Sequence, residues 1–220
     1  MEKYFCHATK HLVTCDPAWS ELIPRIGPCG LVTKPEREPY EALVRTVAYQ
    51  QLHVLSAEAI LKRFIELFPA CAFPSPQQLL AIDDGQLRNS GFSAAKIATI
   101  RDIAGKTIEG IVPTRNQALG MSDIELIERL ASLRGVGQWT VEMLMIFTLE
   151  RPDILPVNDF CVRQGWSLLK SLDKQLTPLQ MHEIGQHWSP FRTTATWYLW
   201  QAVKQAKQQK KEKNAAKKSR

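Results

Sequence analysis

The 220-residue chain has no apolar run approaching ~18 residues, the length a helix needs to cross a bilayer, so no transmembrane helix is expected. Its first residues, MEKYFCHATKHLVTCDP, carry charges and histidines where a secretory signal needs an apolar stretch. An intracellular protein is therefore expected, in the cytoplasm or nucleoid of a bacterium or the nucleus of a eukaryote. The five cysteines (Cys6, Cys15, Cys29, Cys71 and Cys161) are odd in number and scattered, which speaks against a disulfide framework and agrees with a reducing compartment. Cys6, His7, His11 and Cys15 could in principle supply four zinc ligands, but their spacing matches no common zinc pattern, and no metal or other cofactor is expected. The alternation that marks half-buried strands is absent as well.

Net positive charge is also missing from most of the chain. Of 28 Lys/Arg and 22 Asp/Glu, eight bases and one acid lie in residues 204–220, leaving 20 bases against 21 acids in residues 1–203. The basicity belongs to the tail. A Lys-rich tail suits a polyanionic partner but is as often a solvated end, so charge alone does not establish nucleic-acid binding.

What is present is a globular composition, 45% hydrophobic and 23% charged, with helical periodicity throughout. Asp16-Pro17 opens a segment with Trp19, Leu22, Ile23 and Ile26 on one face, closed by Gly27. PYEALVRTVAYQQL carries Leu43, Val44, Val47 and Ala48 as a stripe. Ser56 is placed to cap a helix bearing Ile60, Leu61, Phe64, Ile65 and Phe68. Short helices are predicted over 75–82 and 84–89, and longer ones over 93–110 and 122–133. Further helices are predicted to start near Gln138, Asn158 and Thr177-Pro178 and after Pro190. The last has no apolar face beyond about Val203, although its tail is helix-compatible. These features predict an all-α protein with short connections.

Leu133-Arg134-Gly135-Val136-Gly137-Gln138-Trp139-Thr140 joins two amphipathic helices through a tight turn. Two glycines one residue apart permit positive φ and close backbone approach. The amides opening the next helix suit a phosphate. A bare G-x-G is also what an ordinary αα-corner uses. The string resembles the L-P-G-V-G-x-x-T hairpin of the helix-hairpin-helix (HhH-GPD) DNA glycosylase superfamily. Asp159, within Leu155-Pro156-Val157-Asn158-Asp159-Phe160, stands where that superfamily carries its catalytic aspartate. The resemblance runs from about Asp16 to Val203. It is greatest to AlkA/Mag-type 3-methyladenine DNA glycosylases, especially short forms without an N-terminal β-domain. Arg134 departs from the pattern, which usually has proline there.

The resemblance implies a set of roles. Superfamily members that form a Schiff base use a lysine two residues after the second glycine, where this chain has Trp139, so a monofunctional enzyme is expected. Only Cys161 follows the hairpin, so no iron–sulfur cluster is expected. Asp159 is expected in the first turn of its helix, with Asn158 as the cap, where the dipole favours an ionised carboxylate able to stabilise positive charge on the sugar. An aspartate at a helix start is, however, often only a cap. Trp139 and Trp200 are expected to line the base pocket, with Tyr49, Phe160 and Met143 as further candidates. Trp19, Trp166, Trp188 and Trp197 are expected in the core. Gln51 is placed to fill the hole left by a flipped base, beside Leu52, with His53 reading the groove edge. The hairpin backbone from Gly135 through Val136, Gly137, Gln138 and Trp139 to Thr140 is expected to hold phosphate.

The expected architecture is two helical lobes, residues 34–155 and residues 1–33 with 156–203, with the active site in the cleft between them and residues 204–220 as a basic tail. The expected partner is double-stranded DNA bearing alkylated bases, bound by a monomer. A non-catalytic helix-hairpin-helix DNA-binding protein remains the alternative. It explains Gly135 and Gly137 but not the pairing of Asp159 with Trp139.

Overall fold

The computed structural model describes residues 2–218, and side chains from residue 4 to residue 214. Among the described residues all regular structure is helical: α1 (Glu2–Cys15), α2 (Ala18–Ile26), α3 (Pro39–Tyr49), α4 (Val54–Glu66), α5 (Pro76–Ala81), α6 (Asp84–Asn89), α7 (Ala94–Ile108), α8 (Arg115–Gly120), α9 (Asp123–Ala131), α10 (Gln138–Phe147), α11 (Phe160–Leu169), α12 (Pro178–Gly185), a 3-10 turn (Gln186–Trp188) and α13 (Arg192–Lys218). No helix among these residues is long and apolar enough to cross a membrane.

Local chemistry sets most of the boundaries. Ser75, Thr114, Ser122 and Thr177 each accept a hydrogen bond from the backbone N–H three residues on, while the side chains of Gln78, Gln117, Glu125 and Gln180 accept one from the cap's own N–H. Each such box stabilises its helix start by about 1 kcal/mol. Two helices lie outside the sequence expectations. In α1, Ala8 and Leu12 are fully buried four residues apart, a stripe too short to stand out among histidines and lysine. α8 spans only six residues. The cap of α4 also differs: the helix begins at Val54, and His53 caps it by accepting the Leu55 N–H at Nδ1 (3.4 Å), which puts Ser56 inside the first turn.

The chain divides into two compact units, Thr33–Glu150 and Met1–Val32 with Arg151–Arg220. In the first, α7 packs on α3, α5 and α6, and α3 packs in turn on α4 and α10. Phe64 sits edge-on to Phe68, Phe73 and Phe92. In the second, Trp19, Trp166 and Trp188 meet with ring centroids 4.9–5.6 Å apart. Trp197 is only partly buried against this cluster. Residues 151–155, expected with the central unit, are bound instead to the start of α13. Thr193 N–H donates to the Pro152 carbonyl (3.1 Å), and the Arg192 guanidinium donates to both oxygens of Asp153 (2.8 Å each). Burial pushes the Asp153 carboxyl up, but the bonds from Arg192 and Ser189 outweigh it and hold it below the usual range.

Helices α11 and α13 approach until their backbones touch, which only Gly165 permits, since a Cβ there would strike the Leu199 carbonyl. α13 then continues unbroken past Val203 into the basic segment, whose side chains are exposed from Lys207 to Asn214. The side chains of Lys217, Lys218 and Arg220, counted in the basic tail, lie outside the described residues.

Replacing Gly165 with Ala is therefore expected to destabilise the protein by about 1–3 kcal/mol through overpacking. Gly105→Ala, in α7 where a Cβ meets nothing, should stabilise by about 0.5–1 kcal/mol. Urea titrations of the two variants check the opposite signs.

Candidate active site

The hairpin links α9 to α10, with Val136 buried and its N–H bonded to the Leu133 carbonyl (3.2 Å). Only one of the two glycines needs to be glycine for its backbone angle. Gly135 has φ +69°, and a Cβ on it would run into the Thr99 side chain of α7. Gly137 has φ −94° and is the N-cap of α10, with open space where a Cβ would stand. A glycine cap supplies no side chain to the first amides of α10, an arrangement that suits an incoming anion. Arg134, the departure from the proline pattern, donates its backbone N–H to Asp102 Oδ2 (2.8 Å). Proline could not make that bond.

Beside the hairpin, α3 ends at Tyr49 and the chain turns through Gln50 to Gln51, a non-glycine residue at φ +57°. The Gln50 side chain donates from Nε2 to the Gly135 carbonyl (3.1 Å) and to Thr140 Oγ1 (3.0 Å). Thus the Gln51–Leu52–His53 segment is tied to the hairpin by the residue before it, which sequence reasoning passed over. Gln51, Leu52 and His53 are exposed, Leu52 with an apolar side chain in the open. His53, expected only to read a groove edge, is also the cap of α4. Trp139 is half-buried at the second position of α10, and Met143, one turn on, is buried. Tyr49 is half-buried.

Asp159 stands at the start of α11, and here one expectation is corrected. Asp159 is itself the N-cap, rather than a first-turn residue behind an Asn158 cap, because its own Oδ1 accepts the Val162 N–H (2.9 Å). The same oxygen receives the indole N–H of Trp200 from α13 (3.4 Å). Trp200, expected against the base, therefore also braces the carboxylate. The next thiol senses this charge: burial first, and then Asp159, push Cys161 up, with Lys207 partly opposing. Phe160 is 58% exposed and borders a cavity of about 350 Å³ together with Gln164, Leu168 and Leu172. Among the described residues no three His, Cys, Asp or Glu side chains are grouped to hold a metal ion.

Residues 44–190 match the HhH-GPD superfamily base excision DNA repair protein family. The chain belongs to this family. DNA-3-methyladenine glycosylase 1 of Schizosaccharomyces pombe is 42% identical over 199 residues, 89% of this chain and 86% of that protein. The S. pombe 3-methyladenine DNA glycosylase Mag1, solved with abasic DNA, aligns with TM-score 0.83 and 41% identity over 88% of this chain and 95% of that one. A DNA-3-methyladenine glycosidase from Bacillus halodurans aligns with TM-score 0.76 and 33% identity over 89% of this chain and 88% of that one. The HhH-GPD match includes both the hairpin and Asp159.

The asymmetry of the two hairpin glycines is testable. Gly135→Ala should cost about 1–3 kcal/mol, from the left-handed backbone and the Thr99 clash. Gly137→Ala meets no clash and should lose only the preference for glycine over alanine at an N-cap, about 0.5–1 kcal/mol, so calorimetry should show the smaller fall in melting temperature for this variant.

Proposed function

We propose that this protein is a monofunctional DNA glycosylase of base excision repair. It releases alkylated purines of the 3-methyladenine and 7-methylguanine type from duplex DNA by flipping the nucleotide and hydrolysing the N-glycosidic bond. The observation that carries the reading is the carboxylate of Asp159, held at one oxygen by the Val162 amide and the Trp200 indole, in an HhH-GPD chain 42% identical to a DNA-3-methyladenine glycosylase.

An alkylated purine is cationic and already a good leaving group, so it departs with the bonding pair and needs no obligatory acid. Positive charge then develops on the sugar. The helix-capping carboxylate stabilises that charge and orients the water that adds to C1′, whose proton is lost to it or to solvent. Trp139 supports stacking of the cationic base, worth about 0.5–2 kcal/mol. Trp139 also stands where bifunctional members carry their lysine, which favours hydrolysis without strand cleavage. Gln51 or Leu52 fills the vacated stack, and the hairpin amides from Gly135 to Thr140 hold phosphate. The enzyme works as a monomer wherever the genomic DNA is kept.

Methylated duplex incubated with the protein should yield free 3-methyladenine and 7-methylguanine and an alkali-labile but otherwise intact strand, with no adduct on borohydride treatment. Asp159→Asn keeps a cap and removes the charge, so single-turnover release should drop by about 10²-fold or more while duplex binding persists. Release at the parental rate by this variant would remove Asp159 from the mechanism, and binding without release by the parent would favour the non-catalytic reading.

The exposed end of α13 adds a separate expectation. Deleting residues 208–220 should flatten the salt dependence of non-specific binding by a slope of about 0.9 for each phosphate that the tail neutralises. Single-turnover release at saturating enzyme should hold, because Asp159, Trp139 and Trp200 are untouched.

A further inference from the structure

The last carbonyls of a helix have no partner within it and must find one elsewhere. At the end of α3, the carbonyls of Ala48 and Gln50 both receive the ammonium of Lys96, at 2.9 and 2.8 Å. Lys96 lies in the first turn of α7, in the unit that also holds the hairpin. A cation at the negative end of a helix dipole is favourable, and burial holds the Lys96 amine below its ordinary pKa, as expected of an ammonium drawn partly out of water. Three residues along α7, Thr99 closes the space beneath Gly135. Three further, Asp102 accepts the Arg134 N–H. One side of a single helix thus holds the Gln51–His53 segment at one end and the hairpin at the other, about 9 Å apart at 1.5 Å per residue. Gln50 closes the loop from above by bonding Gly135 and Thr140 directly.

We infer that Lys96 and Gln50 are positioning residues that hold the stack-filling segment in fixed register with the phosphate-binding hairpin, with α7 as the strut between them. For its effect on excision, this rests on the glycosylase reading above, since only there does the segment have a base to displace. The physical need is strict. Gln51 is in a left-handed conformation that costs a non-glycine residue on the order of 1 kcal/mol, and such a conformation persists only where its surroundings over-determine it. The backbone on its N-terminal side is held by Lys96, and on its C-terminal side His53 is locked into the α4 cap. Register matters because flipping requires the phosphate grip and the inserted side chain to act on neighbouring nucleotides at once.

Three variants test the inference. Lys96→Met removes the ammonium and keeps the stem, Lys96→Arg keeps a donor, and Gln50→Glu sets a carboxylate oxygen against the Gly135 carbonyl. In the DNA-free protein, hydrogen exchange at Leu52, whose amide bonds the Tyr49 carbonyl, should accelerate about tenfold or more in Lys96→Met. Single-turnover base release at saturating enzyme should fall about 10–100-fold in Lys96→Met and Gln50→Glu, as expected of a misplaced group. Binding to undamaged duplex and the melting temperature should stay near the parent values, and Lys96→Arg should recover most of the missing rate. Parental exchange and parental release in Lys96→Met would overturn the inference. So would loss of melting temperature and non-specific binding in step with release, the mark of a merely structural role. If the parent itself releases no base, the glycosylase reading fails, and the Leu52 exchange still decides whether Lys96 holds the segment.

Discussion

Every α-helix ends with backbone amides or carbonyls that the helix itself cannot satisfy, and this protein places its candidate functional groups at those ends. The Val162 amide at the start of α11 is satisfied by Asp159, which fixes a carboxylate in one orientation as the by-product of a cap. The start of α10 has glycine for its cap and so supplies no side chain to its first amides. The carbonyls at the end of α3 are taken by Lys96 from another helix. A capping bond is modest, about 1 kcal/mol, but it sets direction as well as energy. At α11 and α3 the bond that begins or ends the helix also aims a candidate functional group, while at α10 the missing cap leaves the first amides without a side chain.

Close packing turns these local devices into a stable arrangement. Gly165 lets α11 and α13 approach until backbone meets backbone, which is how the indole of Trp200 comes within reach of Asp159. Gly135 does the same for the hairpin over Thr99. Both glycines are sites where a single methyl group has nowhere to go, and a packed interior resists the adjustment. Gly137 has space around it, so its small size is not required by packing inside the protein.

Arg134 shows how a departure from a family pattern can be absorbed. A proline there would stiffen the turn by restricting φ. This chain keeps an N–H instead and ties it to Asp102, so the turn is held by a hydrogen bond to α7. The cost of a more flexible residue in the unfolded chain is offset by a bond in the folded one.

Much was legible in the sequence for a physical reason: helical periodicity, caps and turns are encoded by residues within a few positions of one another. The stripe of α3, the helix starts near residues 75, 93, 122 and 177, the glycine hairpin and the aspartate at the head of α11 are all signals of this kind. α1 was not legible, because among its described side chains only Ala8 and Leu12 are deeply buried, too few to form a periodic stripe. Nor was the choice between Asn158 and Asp159 as cap, or between Ser56 and His53, since neighbouring polar residues compete and the backbone path decides. The partnerships of Gln50 with Gly135, Lys96 with Ala48, Asp102 with Arg134 and Trp200 with Asp159 join residues 32 to 85 positions apart. No local pattern carries such pairs. They exist because helix packing brings a donor to an unsatisfied acceptor, and that is decided only when the chain has folded.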